Sequence, residues 1–327
     1  MISRRAFLAS SAFACAAPFS AALAQAYPNN TVRVIVPFPP GGATDILGRV
    51  VSHELQGLWK QNVIPEYKPG ASGLLGTRQV ISSPPDGYTL LLASTGAILS
   101  VAAAAGADSK TYQVTRELAP ISLVAAPAYI LVVHPSVPVK NAAELIAHAK
   151  KNPNKLNFAS SGNGSAPHLA AVLFQRLAGV EMVHVPYKGG APAVQSVLAG
   201  DTQVSFATPP SVLPLVQAGR LRALAVTSRA ASPLVAGVPG MTEAGLPDYE
   251  ISFWYGFFVP AGTPPEVVRK LFDATSQALK LPQVAEMLAR EGTETSGSAS
   301  PADYAAFVAA DAKLWTRIVK DANVKAD

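Results

Sequence analysis

The chain has 327 residues, with 26 Lys+Arg against 21 Asp+Glu and 49% hydrophobic residues. That length allows two domains and a core large enough to stand without disulfides. The mild positive balance contains no Lys/Arg block or basic stripe, so it gives no nucleic-acid footprint, though it is compatible with attracting anions.

The first 26 residues hold Arg4 and Arg5 and no acidic residue, followed by an alanine-rich apolar run from Ala6 to Leu23 and the small-x-small end Ala24-Gln25-Ala26. A charged start, an apolar middle and a small-residue end describe a secretory signal peptide, residues 1–26, cleaved after Ala26. Ser3-Arg4-Arg5-Ala6-Phe7-Leu8 resembles a twin-arginine export signal. Paired arginines also precede general secretion signals. The only cysteine, Cys15, falls inside this segment. The mature chain from Tyr27 therefore has no disulfide, no thiolate nucleophile and no cysteine-based zinc site. Its charge falls to 24 basic against 21 acidic residues. A periplasmic, monomeric protein is expected.

Strands are predicted over Val32–Pro37, Val63–Tyr67, Tyr88–Ala93, Ile121–Val133, Leu156–Ser160, Met182–Tyr187, Gln203–Ala207, Leu221–Thr227 and Ile251–Val259. Most are short apolar runs bounded by Gly, Pro, Ser or Asn. Helices are predicted over Thr44–Trp59, Ala71–Ser82, Ala142–Lys151, Ala166–Ala178, Ala191–Ala199, Val212–Ala218, Pro265–Leu281 and Pro301–Lys320. This alternation implies α/β architecture with mostly parallel sheets. Ile121–Val133 is long for one strand and is broken at Ala126-Pro127, which reads as a crossing into a second sheet. Ile251–Val259 reads as the return. Residues 27–123 plus 229–327 would form one domain and 124–228 the other, with a hinge and a cleft between them. Two consecutive domains are the alternative.

A strand, a Gly-rich turn and a helix start occur together twice. The first unit runs from Val34 through Phe38, Pro39, Gly41, Gly42 and Thr44 to Asp45. The second runs from Leu156 through Ser160, Ser161, Gly162, Gly164 and Ser165 to His168. Glycine lets the backbone approach a ligand, and a helix start presents unpaired N–H groups at the positive end of its dipole. Together they make an anion site. Helix capping by Thr44 or Ser165 is the bland reading. Asp45 would repel an anion, so it caps the helix start, accepts from a ligand amine or hydroxyl, or holds a water. His168 faces the ligand, caps, or packs. Further polar groups end strands where a cleft belongs: Ser94 and Thr95, Tyr187 with Lys188, Gly189 and Gly190, and Thr208.

Enzyme motifs are missing. There is no Walker A, no Gly-x-Gly-x-x-Gly, no Gly-x-Ser-x-Gly and no His-Glu-x-x-His. No metal and no cofactor is expected. An exported α/β hydrolase remains the alternative function.

Pro37-Phe38-Pro39-Pro40-Gly41-Gly42-Ala43-Thr44-Asp45 resembles the first ligand loop of the Bug receptors, the solute-binding components of tripartite tricarboxylate transporters. The likeness continues in order through Lys68–Gly73, Pro85–Leu90, Ser160–Ser165 with His168-Leu169, Val185–Gly190, Leu221–Thr227 and Trp254–Gly256 with Pro260–Pro264. The run Val101–Gly106 is blander than the family's usual stretch there. The resemblance implies a two-domain, type II Venus-flytrap fold with two crossovers and a central cleft. It implies a small organic carboxylate held by the two Gly-rich loops, largely through backbone N–H groups and ordered water. It implies as partners the membrane components of a transporter, or a sensor protein.

Overall fold

The computed structural model describes residues 27–98, 114–249, 251, 253–290 and 293–321. The expected signal peptide and the run Val101–Gly106 lie outside the described residues.

The chain folds as two five-stranded sheets. The first comprises β1 (Val32–Val36), β2 (Val63–Tyr67), β3 (Thr89–Ser94), β4 (Leu118–Ala125) and β10 (Tyr255–Pro260), in the order β2-β1-β3-β10-β4. The second comprises β5 (Ile130–Val133), β6 (Asn157–Ser160), β7 (Val183–Pro186), β8 (Val204–Ala207) and β9 (Arg222–Val226), in the order β7-β6-β8-β5-β9. In each sheet a single strand runs against the other four. In the first it is β10, antiparallel to both β3 and β4. In the second it is β5, antiparallel to both β8 and β9. These are the strands by which the chain passes from one sheet to the other.

Besides short turns at Ala71–Gly73 and Val114–Glu117, the helices described are α1 (Ala43–Trp59), α2 (Leu74–Ile81), α3 (Ala142–Lys151), α4 (Ala166–Ala178), α5 (Gly190–Ala199), α6 (Pro209–Gln217), α7 (Pro265–Leu279), α8 (Pro282–Arg290) and α9 (Pro301–Asp321). They cover both faces of the sheets, which is why the strands read as unbroken apolar runs. Strand residues alternate between the faces. Val34, Leu92 and Phe257 pack under α1 and α7, while Ile35, Leu91 and Phe258 pack against Trp254 and Tyr304. In the second sheet Leu131, Phe158 and Phe206 face α4, and Ile130, Ala159 and Ala207 face α5 and α6.

The long predicted strand Ile121–Val133 divides where Ala126-Pro127 breaks it, into β4 and β5. The predicted return Ile251–Val259 pairs only from Tyr255 onward. α8 escaped the sequence reading, because Pro282 suggests a stop although proline is well tolerated in a first helical turn. Apolar residues past 228 also pack beside the second sheet. Val235 and Val238 join one core beside the second sheet; Met241, Leu246, Tyr249 and Phe253 join the other. Residue 228 follows the end of β9, but the apolar side chains after it still face that sheet. α9 then spans both lobes. Tyr304 and Val308 pack on the first sheet and Trp315 packs beside Phe253 on the second.

Candidate functional site: an interlobe cleft walled by helix starts

The parallel strands of both sheets end at a common cleft of about 640 Å³, counting the part open to solvent. From the first lobe come Phe38, Pro39, Gly42 and Thr44 after β1, and Ser94 at the end of β3. From the second come Ser160 at the end of β6 and Ser161 after it, Gly190 at the start of α5, and Thr208 after β8. These nine positions were read from sequence.

Four helices begin at this wall: α1, α4, α5 and α6. Their N-caps are Gly42, Ser165, Gly189 and Thr208, and none makes a side-chain capping bond. α2 and α7 also lack such a bond, whereas in α3 Asn141 accepts from the Glu144 N–H as an ordinary cap. Thr208 pairs its hydroxyl with Ser211 at 2.9 Å instead. Ser165 donates to the Gly162 carbonyl at 2.6 Å. The helix starts thus turn the positive ends of their dipoles toward the cleft; α6 opens on Pro209-Pro210 and its Ser211 N–H bonds to the Thr208 carbonyl, so backbone N–H groups for a ligand come only from α1, α4 and α5. Among the described residues no charged side chain lines this wall.

The other nine predicted positions stand behind it. Asp45 is buried, and its carboxylate accepts from the Gly41 N–H at 2.9 Å and from the Tyr67 hydroxyl at 2.6 Å. Arg49, one helical turn on, lies 3.1 Å from it. Asp45 therefore holds the first loop. Gly41 has φ +94°, a backbone shape that favours glycine. Thr95 is spent on the return crossing, where its hydroxyl accepts from the Trp254 N–H at 2.9 Å. Gly162, Gly164 and Gly189 shape their loops at φ +127°, +69° and +133°. Tyr187 pairs its N–H with the Ser160 carbonyl, and Lys188 is exposed.

His168 stands behind the second loop as a strut. Its Nδ1 accepts from the Gly164 N–H at 3.0 Å, and its ring stacks on His184 with centroids 3.9 Å apart. Burial, and then the neighbouring His184, lower its pKa from 6.5 to about 3, so the ring is neutral. His184 continues the network with Nε2 2.6 Å from the Ser160 hydroxyl. That hydroxyl also meets the Gly162 N–H and carbonyl, each at 3.1 Å.

Sequence reasoning missed several wall residues. Tyr129, Phe206, Ala191 and Val194 give the cleft an apolar side, and Ser205, Ser211 and Tyr255 add hydroxyls. Tyr129 and Tyr255 sit at the starts of the two reversed strands. Only the topology places them together, since 126 residues separate them.

The sequence profile described as "Tripartite tricarboxylate transporter family receptor" matches residues 47–324. Protein BugT of Bordetella pertussis (strain Tohama I) is 36% identical over 310 residues, 95% of this chain and 94% of that one. Rpa4515 of R. palustris, solved with adipate, has TM-score 0.84 and 31% identity, covering 91% of this chain and 99% of its own. MatC of Rhodopseudomonas palustris, solved with bound malate, has TM-score 0.82 and 29% identity, covering 90% and 100%. The two-lobed α/β architecture is that of periplasmic binding proteins, and the chain belongs to the tripartite tricarboxylate transporter receptor family.

Proposed function

We propose that the chain is exported and captures a small organic carboxylate in the cleft for delivery to a transporter's membrane components or to a sensor. The observation that carries this reading is the convergence of four uncapped helix starts on a wall without charged side chains. A carboxylate there takes backbone N–H groups of α1, α4 and α5, and the dipoles of all four helices, as its partners. Ser94, Thr44, Ser160, Ser161 and Thr208 supply further hydroxyls. Adipate and malate, bound in the two solved relatives, are both carboxylates. The lobes act as the two jaws, hinged where the chain crosses near 126–128 and again near 253–255. The ligand leaves unchanged, so the chain is a receptor and not an enzyme.

Thermal unfolding of the mature protein with a panel of carboxylates tests this reading. A ligand that binds only the folded state, at a hundredfold excess over Kd, raises Tm by about 5–10 °C. No shift with any of them removes the proposal. One contact favours a second reading: Ser160 and His184 lie at the spacing of a nucleophile and its base. Against it, the loop's own N–H and carbonyl engage the same hydroxyl. Sustained hydrolysis of p-nitrophenyl esters, lost in Ser160→Ala, would favour the hydrolase.

A further inference from the structure

The cleft floor carries a feature that the loops do not explain. β5 and β10 run against their neighbours, so each begins where the parallel strands end. Tyr129 immediately precedes β5, beside the β8 terminus, and Tyr255 opens β10 opposite Ser94. One tyrosine from each crossing therefore reaches the same floor, and both line the cleft. Their hydroxyls lie 3.4 Å apart. A good O–H···O bond spans about 2.5–3.0 Å, so neither hydroxyl satisfies the other well. Neither has another protein partner among the described residues. The residues are 5% and 3% exposed, so bulk water does little for them. Both tyrosines are held firmly. Tyr129 stacks on Phe253 at 3.8 Å, and its N–H and carbonyl are bonded to Thr227 at 2.8 Å each. Tyr255 is paired on both sides, with Ser94 and Ala125.

We propose that Tyr129 and Tyr255 form a second subsite whose two hydroxyls donate together to the two oxygens of a second carboxylate. This rests on the carboxylate-receptor reading, in which the helix starts hold the first carboxylate. Burial keeps both phenols protonated, with Tyr129 pushed up to about 12 and Tyr255 raised well above its ordinary value. They are donors at every working pH. A carboxylate accepts through two oxygens, and a charged acceptor makes a stronger bond than a second phenol does. Because the pair comes from both crossings, the same contact ties the lobes at their hinge. A monoacid of the same skeleton would leave the two hydroxyls with only each other.

Calorimetry with matched acids tests the assignment: succinate against butyrate, adipate against hexanoate, terephthalate against benzoate. In at least one pair the wild type binds the diacid about tenfold or more tighter, since the monoacid forgoes two charge-assisted bonds. Tyr129→Phe with Tyr255→Phe keeps both rings and narrows that gap to about threefold or less, by weakening the diacid alone. A gap that survives the double variant overturns the subsite, and so does a wild type without a gap. If the wild type binds none of the six acids, the carboxylate reading fails and takes the subsite with it. Carbon NMR of the wild-type tyrosine Cζ atoms provides a check independent of the variants' folding. Saturating diacid moves two buried Cζ signals that the matched monoacid leaves in place. Signals that move equally with both acids overturn the assignment.

Discussion

At the scale of single residues, the second loop depends on the neutrality of one imidazole. His168 Nδ1 accepts the Gly164 N–H, which requires that nitrogen to be unprotonated. The folded pKa near 3 lies below the unfolded value of 6.5. The unfolded chain therefore binds the extra proton first, and the contribution to stability is complete only above pH 6.5. It is lost as pH falls toward 3. His184, stacked on the ring, adds repulsion in the same direction. Between pH 7 and pH 5 the wild type should lose on the order of 1–2 kcal/mol more than His168→Asn, whose side-chain oxygen can take the same N–H without titrating. Urea unfolding at the two pH values measures this, and equal losses would show that His168 does not bear on the loop. The sequence displayed the glycines and His168 but left the histidine's role open. His184 lies 16 positions further on, and it takes the pairing of β6 with β7 and the packing of α4 over Phe158 to bring the rings together. Asp45 was legible as a helix-start residue, since its type and place suffice for that. Its bond to Tyr67 needed β2 beside β1.

At the scale of elements, most strands and helices were legible because each is a short apolar run between glycines, prolines or small polar residues. The misread return crossing has its own cause. Ile251–Val259 is almost wholly apolar, so the sequence does not show where core packing stops and strand pairing starts. The structure puts that point at Trp254. Its N–H is taken by Thr95, its carbonyl accepts from the Thr95 N–H, and its indole donates to Asp311 of α9 at 2.6 Å. Trp254 is 1% exposed and Asp311 is 7% exposed. One carboxylate on the last helix thereby fixes the return crossing. Asp311→Ala should destabilise the protein by about 1–3 kcal/mol, because it strands a buried N–H. Asp311→Asn keeps an acceptor and should cost about 1 kcal/mol or less. Chemical unfolding of both variants decides the matter: similar losses would mean that the charge, rather than the hydrogen bond, matters at the crossing.

At the scale of the whole molecule, glycines set how closely the lobes approach. A Cβ on Gly96 would stand 2.9 Å from the backbone nitrogen of Ala166 at the start of α4. A Cβ on Gly189 would stand 2.8 Å from the Pro39 ring, and one on Gly162 would meet the Ser72 hydroxyl. Ser72 itself donates across the cleft to the Asn163 carbonyl at 2.9 Å. These contacts join Gly-rich segments of the two lobes, which explains why the glycines recur at strand ends in both halves of the sequence. Gly96 offers the cleanest test, because its backbone is not in the left-handed region and alanine fits its conformation. Its obstacle is backbone on the opposite lobe, which cannot turn aside as a side chain would. Gly96→Ala should therefore leave each lobe intact, with Tm within about 3 °C of wild type, since a substitution that the local backbone accepts costs little. The lobes would meet a methyl group before they met each other. Ligand affinity should fall about tenfold or more, because a ligand gripped from both sides can only bind as tightly as the closed form is accessible. Small-angle scattering should show a ligand-dependent decrease in radius of gyration for the wild type and none for the variant. Wild-type affinity in Gly96→Ala would mean that the ligand is held by one lobe alone, and that the helix starts of the other contribute nothing to its capture.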